Sequence, residues 1–227
     1  YFAQWEIAMS WQRLLVLGLA STLCFASAER AEARDRFYYL GYEIVQVIDG
    51  DTDAIIADIP MRGATREVGL TADRKFMFVA ANRHLVHKVD LEQNKVVATA
   101  DVSNDGWDRL MFGFVVDAEG KTGYGAFMSR RTDQGEVVIG KPVVAQFELA
   151  TGKLLRSVEV PWGVGHLVSV KGGRTLYAFG KDLYKIDTSG SELKVTETVP
   201  MFDKGMNVLP FWDYAFDNGG VASMNYY

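Results

Sequence analysis

The side chains that could do chemistry are few in this chain, and they fall at repeated places. Three histidines, His84, His87 and His166, are the only imidazoles. His84 and His87 stand three apart in an extended run, so they point to opposite faces and do not chelate one ion together without a bulge. Asp49-Gly50-Asp51-Thr52-Asp53 begins like a calcium loop. The EF-hand pattern needs Gly at its sixth position and Glu at its twelfth, where this chain has Ala54 and Pro60. The run therefore reads as a solvated hairpin turn. Gly163-Val164-Gly165 lacks the third glycine and the βαβ setting of a dinucleotide loop, and reads as a turn. No G-x-S-x-G, H-E-x-x-H or Walker loop occurs. No catalytic residue and no metal ligand set is assigned. The aromatic residues are the more informative group. Trp107, Trp162 and Trp212 lie in or beside connections between repeats, with Phe112, Phe211 and Tyr214 near them and His166 closing Trp162-Gly163-Val164-Gly165-His166. They either pack between repeats or form an aromatic mouth for an apolar substrate or a partner subunit. A cation–π contact with an ammonium group would be a natural use of such a mouth.

The elements that must position them recur. Lys88–Val102 is a strand, a polar turn and a second strand, and the plan returns at 47–60, 146–161 and 185–200. Each copy sets an apolar residue before an acidic one: Ile48-Asp49, Val89-Asp90, Phe147-Glu148, Ile186-Asp187. The interval is roughly 40 residues, stretched to nearly 60 across the third unit, the spacing of propeller blades. Three copies end in Pro, which cannot donate to a ladder.

Strands are expected over 37–42, 43–48 and 53–59, then over 67–70, 75–81, 84–91 and 95–102. The third unit takes 110–116, 121–128, 143–149 and 153–160, with Ser129–Lys141 as an insertion. The fourth takes 167–170, 175–179, 183–187 and 194–199, and a fifth begins at 209–216. The connections 61–66, 103–109, 162–166 and 201–208 then lie together on one face, around the central channel. The fold class is all-β, a β-propeller present as an incomplete ring of about four blades plus parts. The expectation is a chain whose C-terminal blades are missing, because an unclosed ring leaves strand edges unpaired.

Residues 1–28 differ from the rest. Trp11–Ala28 carries one Arg, an apolar run and Ala26-Ser27-Ala28, which together read as a secretory signal peptide cleaved after Ala28 or Ala33. A retained membrane anchor is the alternative. Met9 is a plausible start, with Tyr1–Ala8 upstream sequence. The domains expected are 1–28, signal peptide and upstream residues, and 29–227, a partial propeller. The apolar run is the one helix expected. The sole cysteine, Cys24, lies within it, and Leu23 before it argues against lipidation, so cleavage leaves a chain without thiols. With a formal charge of −5 over 227 residues and no Lys/Arg run beyond two, neither nucleic acid nor an anionic membrane surface is an expected partner.

Asp182-Leu183-Tyr184-Lys185-Ile186-Asp187, the long insertion before Val144-Ala145-Gln146-Phe147-Glu148-Leu149, and Val208-Leu209-Pro210-Phe211-Trp212 followed by Gly219-Gly220-Val221-Ala222-Ser223 resemble the β subunit of quinohemoprotein amine dehydrogenase. The likeness covers roughly residues 35–227, and the blade motifs are shared with YVTN-type propellers in general. The resemblance implies a seven-bladed propeller in the periplasm, beside a diheme cytochrome α subunit and a γ subunit carrying cysteine tryptophylquinone. Quinone and heme c would belong to those partners, with no cofactor bound by this chain, which would help to wall a primary-amine pocket over the quinone. Two other readings stay open: a stand-alone periplasmic binding propeller, and the heavy chain of methylamine dehydrogenase.

Overall fold

The computed structural model describes residues 35–170 and 173–201, and the backbone of 213–217 and 220–224. The expected signal peptide and its helix lie outside these residues. Two compact units are present, Tyr1–Phe37 with Asp49–Ala54, and Tyr38–Ile48 with Ile55–Tyr227. In the first, the described part is Asp35–Phe37, where a strand begins, and the turn Asp49–Ala54. The Gly50 N–H donates to the Asp35 carbonyl at 2.8 Å. The Asp49 carboxylate accepts from the Asp51 and Thr52 amides at 3.1 and 3.0 Å and from the Thr52 hydroxyl at 2.9 Å.

The second unit holds the blades. Strands β1 (Arg36–Leu40), β2 (Tyr42–Asp49), β3 (Ile55–Leu70), β4 (Phe76–Ala81), β5 (Leu85–Asp90) and β6 (Lys95–Asp101) form the first run in that order. Next come β7 (Asp108–Val116), β8 (Thr122–Asp133), β9 (Glu136–Ile139), β10 (Val143–Glu148) and β11 (Leu154–Glu159), ordered β11-β10-β8-β7 with β9 paired to β8. Strands β12 (His166–Val170), β13 (Thr175–Phe179), β14 (Leu183–Asp187) and β15 (Lys194–Val199) make a four-stranded sheet, and β16 (Asp213–Asp217) pairs with β17 (Gly220–Met224). Every pairing is antiparallel, and no helix occurs among the described residues. The protein is an all-β, incomplete propeller.

The alternation of side chains along each strand explains why the sheets stack. Within the second blade, Met77, Val79 and Val89 pack with Val45, Val47, Ile59 and Met61 of the sheet before, whereas Phe78, Ala80 and Val86 pack with Met111, Phe114, Phe127 and Phe147 of the sheet after. A third core joins Tyr124, Ala126 and Val144 to Leu167, Leu176, Ala178 and Ile186. A sheet buried on both faces needs apolar residues at successive positions, which is why β4 reads Phe-Met-Phe-Val-Ala-Ala.

The repeated acidic residue has a structural task. Asp90 accepts the amides of Glu92 and Gln93 at 2.9 and 2.8 Å, Asp187 accepts that of Ser189 at 2.9 Å, and Glu148, one carbon longer, takes the Thr151 hydroxyl at 2.8 Å. Each closes the turn into the outermost strand. Beside it the register slips by one residue in each of the first four blades, between Val47 and Ile48, Lys88 and Val89, Gln146 and Phe147, and Lys185 and Ile186. The surplus residues on the outer strands are Ile56, Val97, Leu155 and Thr196.

One expected connection is a strand instead. Met61–Arg66 continues β3 from the first sheet into the second: Tyr42 opposes Ala64, and Ala81 opposes Thr65. Gly63, at φ +93°, and a bulge between Thr65 and Glu67 turn the strand without breaking it. Asn82 anchors the bend, its side-chain oxygen accepting the Ala64 N–H at 2.9 Å and its own N–H donating to the Ala64 carbonyl at 3.0 Å. The insertion is also more regular than its length suggests. It extends β8 to Asp133 and returns as β9, around a two-residue turn at Gln134-Gly135 with φ +49° and +86°.

Candidate functional site

The innermost strands of three successive blades run side by side, β3 next to β7 and β7 next to β12. Glycine permits the approach: a Cβ on Gly113 would come within 2.9–3.0 Å of the His166 and Leu167 backbone. Where these strands begin, the inter-blade connections and the Asn82-Arg83 turn form the end of the propeller expected to bind.

The connection from β6 to β7 is held by one arginine. Buried Arg109 donates from Nη1 to the Val102 carbonyl at 2.6 Å, and from Nη1 and Nη2 to the two oxygens of Asp105 at 2.5 and 2.6 Å. This two-point contact holds the Asp105 carboxyl below the ordinary carboxylate range, hydrogen bonding being the largest cause. Replacing Asp105 by Ala leaves a buried guanidinium with one acceptor, and is expected to cost about 1–2 kcal/mol in urea denaturation.

Trp107 and Phe112 each carry an arginine on one face. The Arg131 guanidinium lies 4.9 Å from the Trp107 ring centre, and that of Arg83 lies 4.2 Å from the Phe112 ring centre. Trp107 also supports the insertion hairpin, since a Cβ on Gly140 would meet its ring at 3.3 Å. Beside it is a groove of about 310 Å³ lined by Gly106, Asp108, Arg130, Arg131, Thr132 and Val137, with Arg130 Nε donating to Asp108 at 2.7 Å. His166 is buried at the start of β12, opposite Phe179. Trp162 is 56% exposed on the β11–β12 connection. Phe211 and Trp212 lie outside the described residues, and Tyr214 is known only by its backbone, opposite Ser223 in the β16–β17 pair.

The other histidines are spoken for. The Arg62 carbonyl, 2.7 Å from His87 Nε2, can only accept, so that nitrogen carries the proton and Nδ1 accepts from the Thr99 hydroxyl at 2.8 Å. Burial lowers the pKa of His87 and keeps the ring neutral. His84 Nδ1 meets Asp101 at 3.0 Å. Among the described residues, no group of three or more His, Cys, Asp or Glu gathers as a metal site.

Glu67 is the group that sequence reasoning passed over. It sits on β3 and accepts the Phe114 N–H of β7 at 2.7 Å, from one blade to the next. Burial raises its pKa from 4.5 to about 7, against the opposing pull of that hydrogen bond and of Arg66 and Arg83. Arg83 itself has φ +63°, in the left-handed region, and its carbonyl accepts the Met111 N–H at 2.6 Å. When the blades are aligned on the turns after their inner strands, Glu67 falls where Gly113 and Leu167 stand, and it is the only ionisable residue at that place. That alignment is the signal that would have found it. Among the described residues the arrangement yields a proton-titrating carboxyl near neutrality and two stacked guanidinium–aromatic pairs, with no nucleophile–base pairing.

No protein-family model matches the chain, and no curated protein sequence matches it. Solved structures do. One is a chain of the hydrazine synthase of Kuenenia stuttgartiensis, similar over 69% of this chain with a TM-score of 0.52 and 17% identity. The match spans 43% of that chain. At this identity the likeness is one of fold, and it agrees with blades stacked through their faces.

Proposed function

We propose that this chain is the non-catalytic propeller subunit of a periplasmic amine-oxidising complex, in which it walls a primary-amine pocket over a quinone held by a small partner. The observation that carries the reading is Trp162, a large aromatic ring left more than half exposed on the connection end of a propeller. Tryptophan at that exposure on a folded scaffold is the residue type that anchors interfaces and receives apolar or cationic ligands. Two further aromatic rings carry arginines, Phe112 under Arg83 and Trp107 under Arg131, and add polar-edged surface to the blades. In this role the chain contributes shape and exclusion of water, while the redox chemistry belongs to the cofactors of its partners. Electrons would leave the quinone through the hemes of a cytochrome subunit.

The test is affinity purification of the protein from periplasm, with heme staining and mass spectrometry of what accompanies it. A heme-bearing subunit and a small quinone-bearing subunit are expected, and Trp162→Ala is expected to reduce their recovery at least tenfold without changing the melting temperature. Purification free of both subunits would overturn the reading. A small partner bearing tryptophan tryptophylquinone in place of cysteine tryptophylquinone would transfer it to the methylamine dehydrogenase type.

A further inference from the structure

Strand β9 presents three β-branched aliphatic residues in succession, with Val137 and Ile139 each 65% exposed and Val138 at 37%. Among the described residues it pairs with β8 alone, so its other edge is open. The ladder to β8 runs without a slip from Asp133 opposite Glu136 to Arg130 opposite Ile139. The strand's protection is slight: Glu136 is its one charge, and no proline, lysine or bulge falls within Glu136–Ile139.

The hairpin fixes which backbone groups face outward. The Gly140 N–H points inward, donating to the Ser129 carbonyl at 2.9 Å. Bonding direction alternates along a strand, so the amides of Val138 and Glu136 also point inward, and those of Val137 and Ile139 point away from β8. A second strand can pair antiparallel only in a register that opposes outward residues to outward residues. For two identical strands, Val137 opposite the second copy's Ile139 meets that condition about a two-fold axis. It puts Val138 opposite Val138 and Glu136 opposite Gly140, so aliphatic residues meet aliphatic residues and no like charges oppose each other. Both N–H and both C=O groups of Val137 and Ile139 in each copy find partners, four hydrogen bonds in all by this geometry.

We propose that β9 is the contact through which two copies of this chain pair, edge to edge, joining two β8–β9 hairpins into one four-stranded sheet. This interface is isologous and does not depend on the amine-oxidation reading. Sedimentation equilibrium on the full chain, up to about 200 µM, reads the association directly. A monomer–dimer equilibrium in the micromolar range is expected, with slower hydrogen exchange at the Val137 and Ile139 amides as concentration rises. Ile139→Pro removes an outward donor while sparing the inward bonds, and is expected to weaken dimerisation at least tenfold. Val137→Lys, which keeps every backbone donor and acceptor of the hairpin, is expected to do the same. A chain that stays monomeric throughout would overturn the proposal. So would a dimer indifferent to both substitutions, or protection of these amides by a different subunit while the chain itself stays single.

Discussion

Gly152→Ala is expected to destabilise the protein by about 3–5 kcal/mol, measured as a fall in the urea midpoint at constant slope. Two costs add. The turn between β10 and β11 needs a left-handed residue, and Gly152 has φ +78°. Asp53 and Asn94 hold the equivalent place in earlier copies at φ +56° and +50°, so the conformation alone costs a non-glycine residue only about 1 kcal/mol. The larger cost is contact. A Cβ at Gly152 would lie 2.2 Å from the Asp101 carbonyl oxygen and 2.6 Å from its carbon. That backbone is pinned, with the Val102 N–H bonded to the His84 carbonyl at 2.9 Å and the Asp101 carboxylate accepting from Ser103 N–H at 2.8 Å. Asn104, from the same connection, donates to the Thr151 carbonyl at 2.9 Å. The clash thus falls on the seam between two blades, and neither side can yield cheaply. Asn94→Ala tests the division, because it removes the favourable left-handed residue at the sister turn, and its loss should be about a third as large.

Glu67→Gln is expected to make the protein more stable at pH 8 by up to about 3 kcal/mol and to leave it nearly unchanged near pH 4. The native carboxyl has its pKa raised from 4.5 to about 7 by burial. Between those values the folded chain keeps a proton that the unfolded chain has released, so the folded state binds more protons and stability falls as pH rises through the window. Above it, the protein carries a partly desolvated carboxylate. Glutamine has the same length and can still accept the Phe114 N–H through its amide oxygen, without the charge. Denaturation curves from pH 4.5 to 8 should show a declining stability in the natural protein and a flatter profile in the variant. Parallel profiles in the two proteins would show that Glu67 is not the titrating group. Asp105 moves in the opposite sense: Arg109 depresses its pKa, so its contribution is lost only as pH falls below the ordinary carboxylate range.

Most strands were legible because their two signals agree. In the second and fourth blades, apolar alternation and turn residues fall in step, and β12 to β15 lie where the sequence sets them to within a residue. The acidic repeat was visible as a pattern, but its cause, a carboxylate closing a turn beside a bulge, depends on backbone geometry. Met61–Arg66 misled because Gly63 and two arginines look like a loop, and only the partners on Asn82 reveal a strand bent under support. The β8–β9 hairpin was signalled by Gln134-Gly135 between β-branched residues, yet read as undivided insertion. At the connection end, sequence shows which aromatics occur there and not which are covered: Trp162 is exposed, while Trp107 lies against the hairpin and His166 is buried. Glu67 stayed hidden since an acidic residue in a strand is ordinary until its neighbour from the next blade is known.

The three cores have a consequence for how the molecule comes apart. Each joins two adjacent sheets, so among the described residues the blades share no common centre whose loss would dissolve them at once. Its cohesion is linear, passing from link to link as in a stacked repeat array. An injury to Phe147, which packs against Phe114 and Phe127, loosens the links on the second and third blades and leaves the Leu176–Ile186 link to stand by itself. Melting then begins at the weakest joint and spreads along the chain.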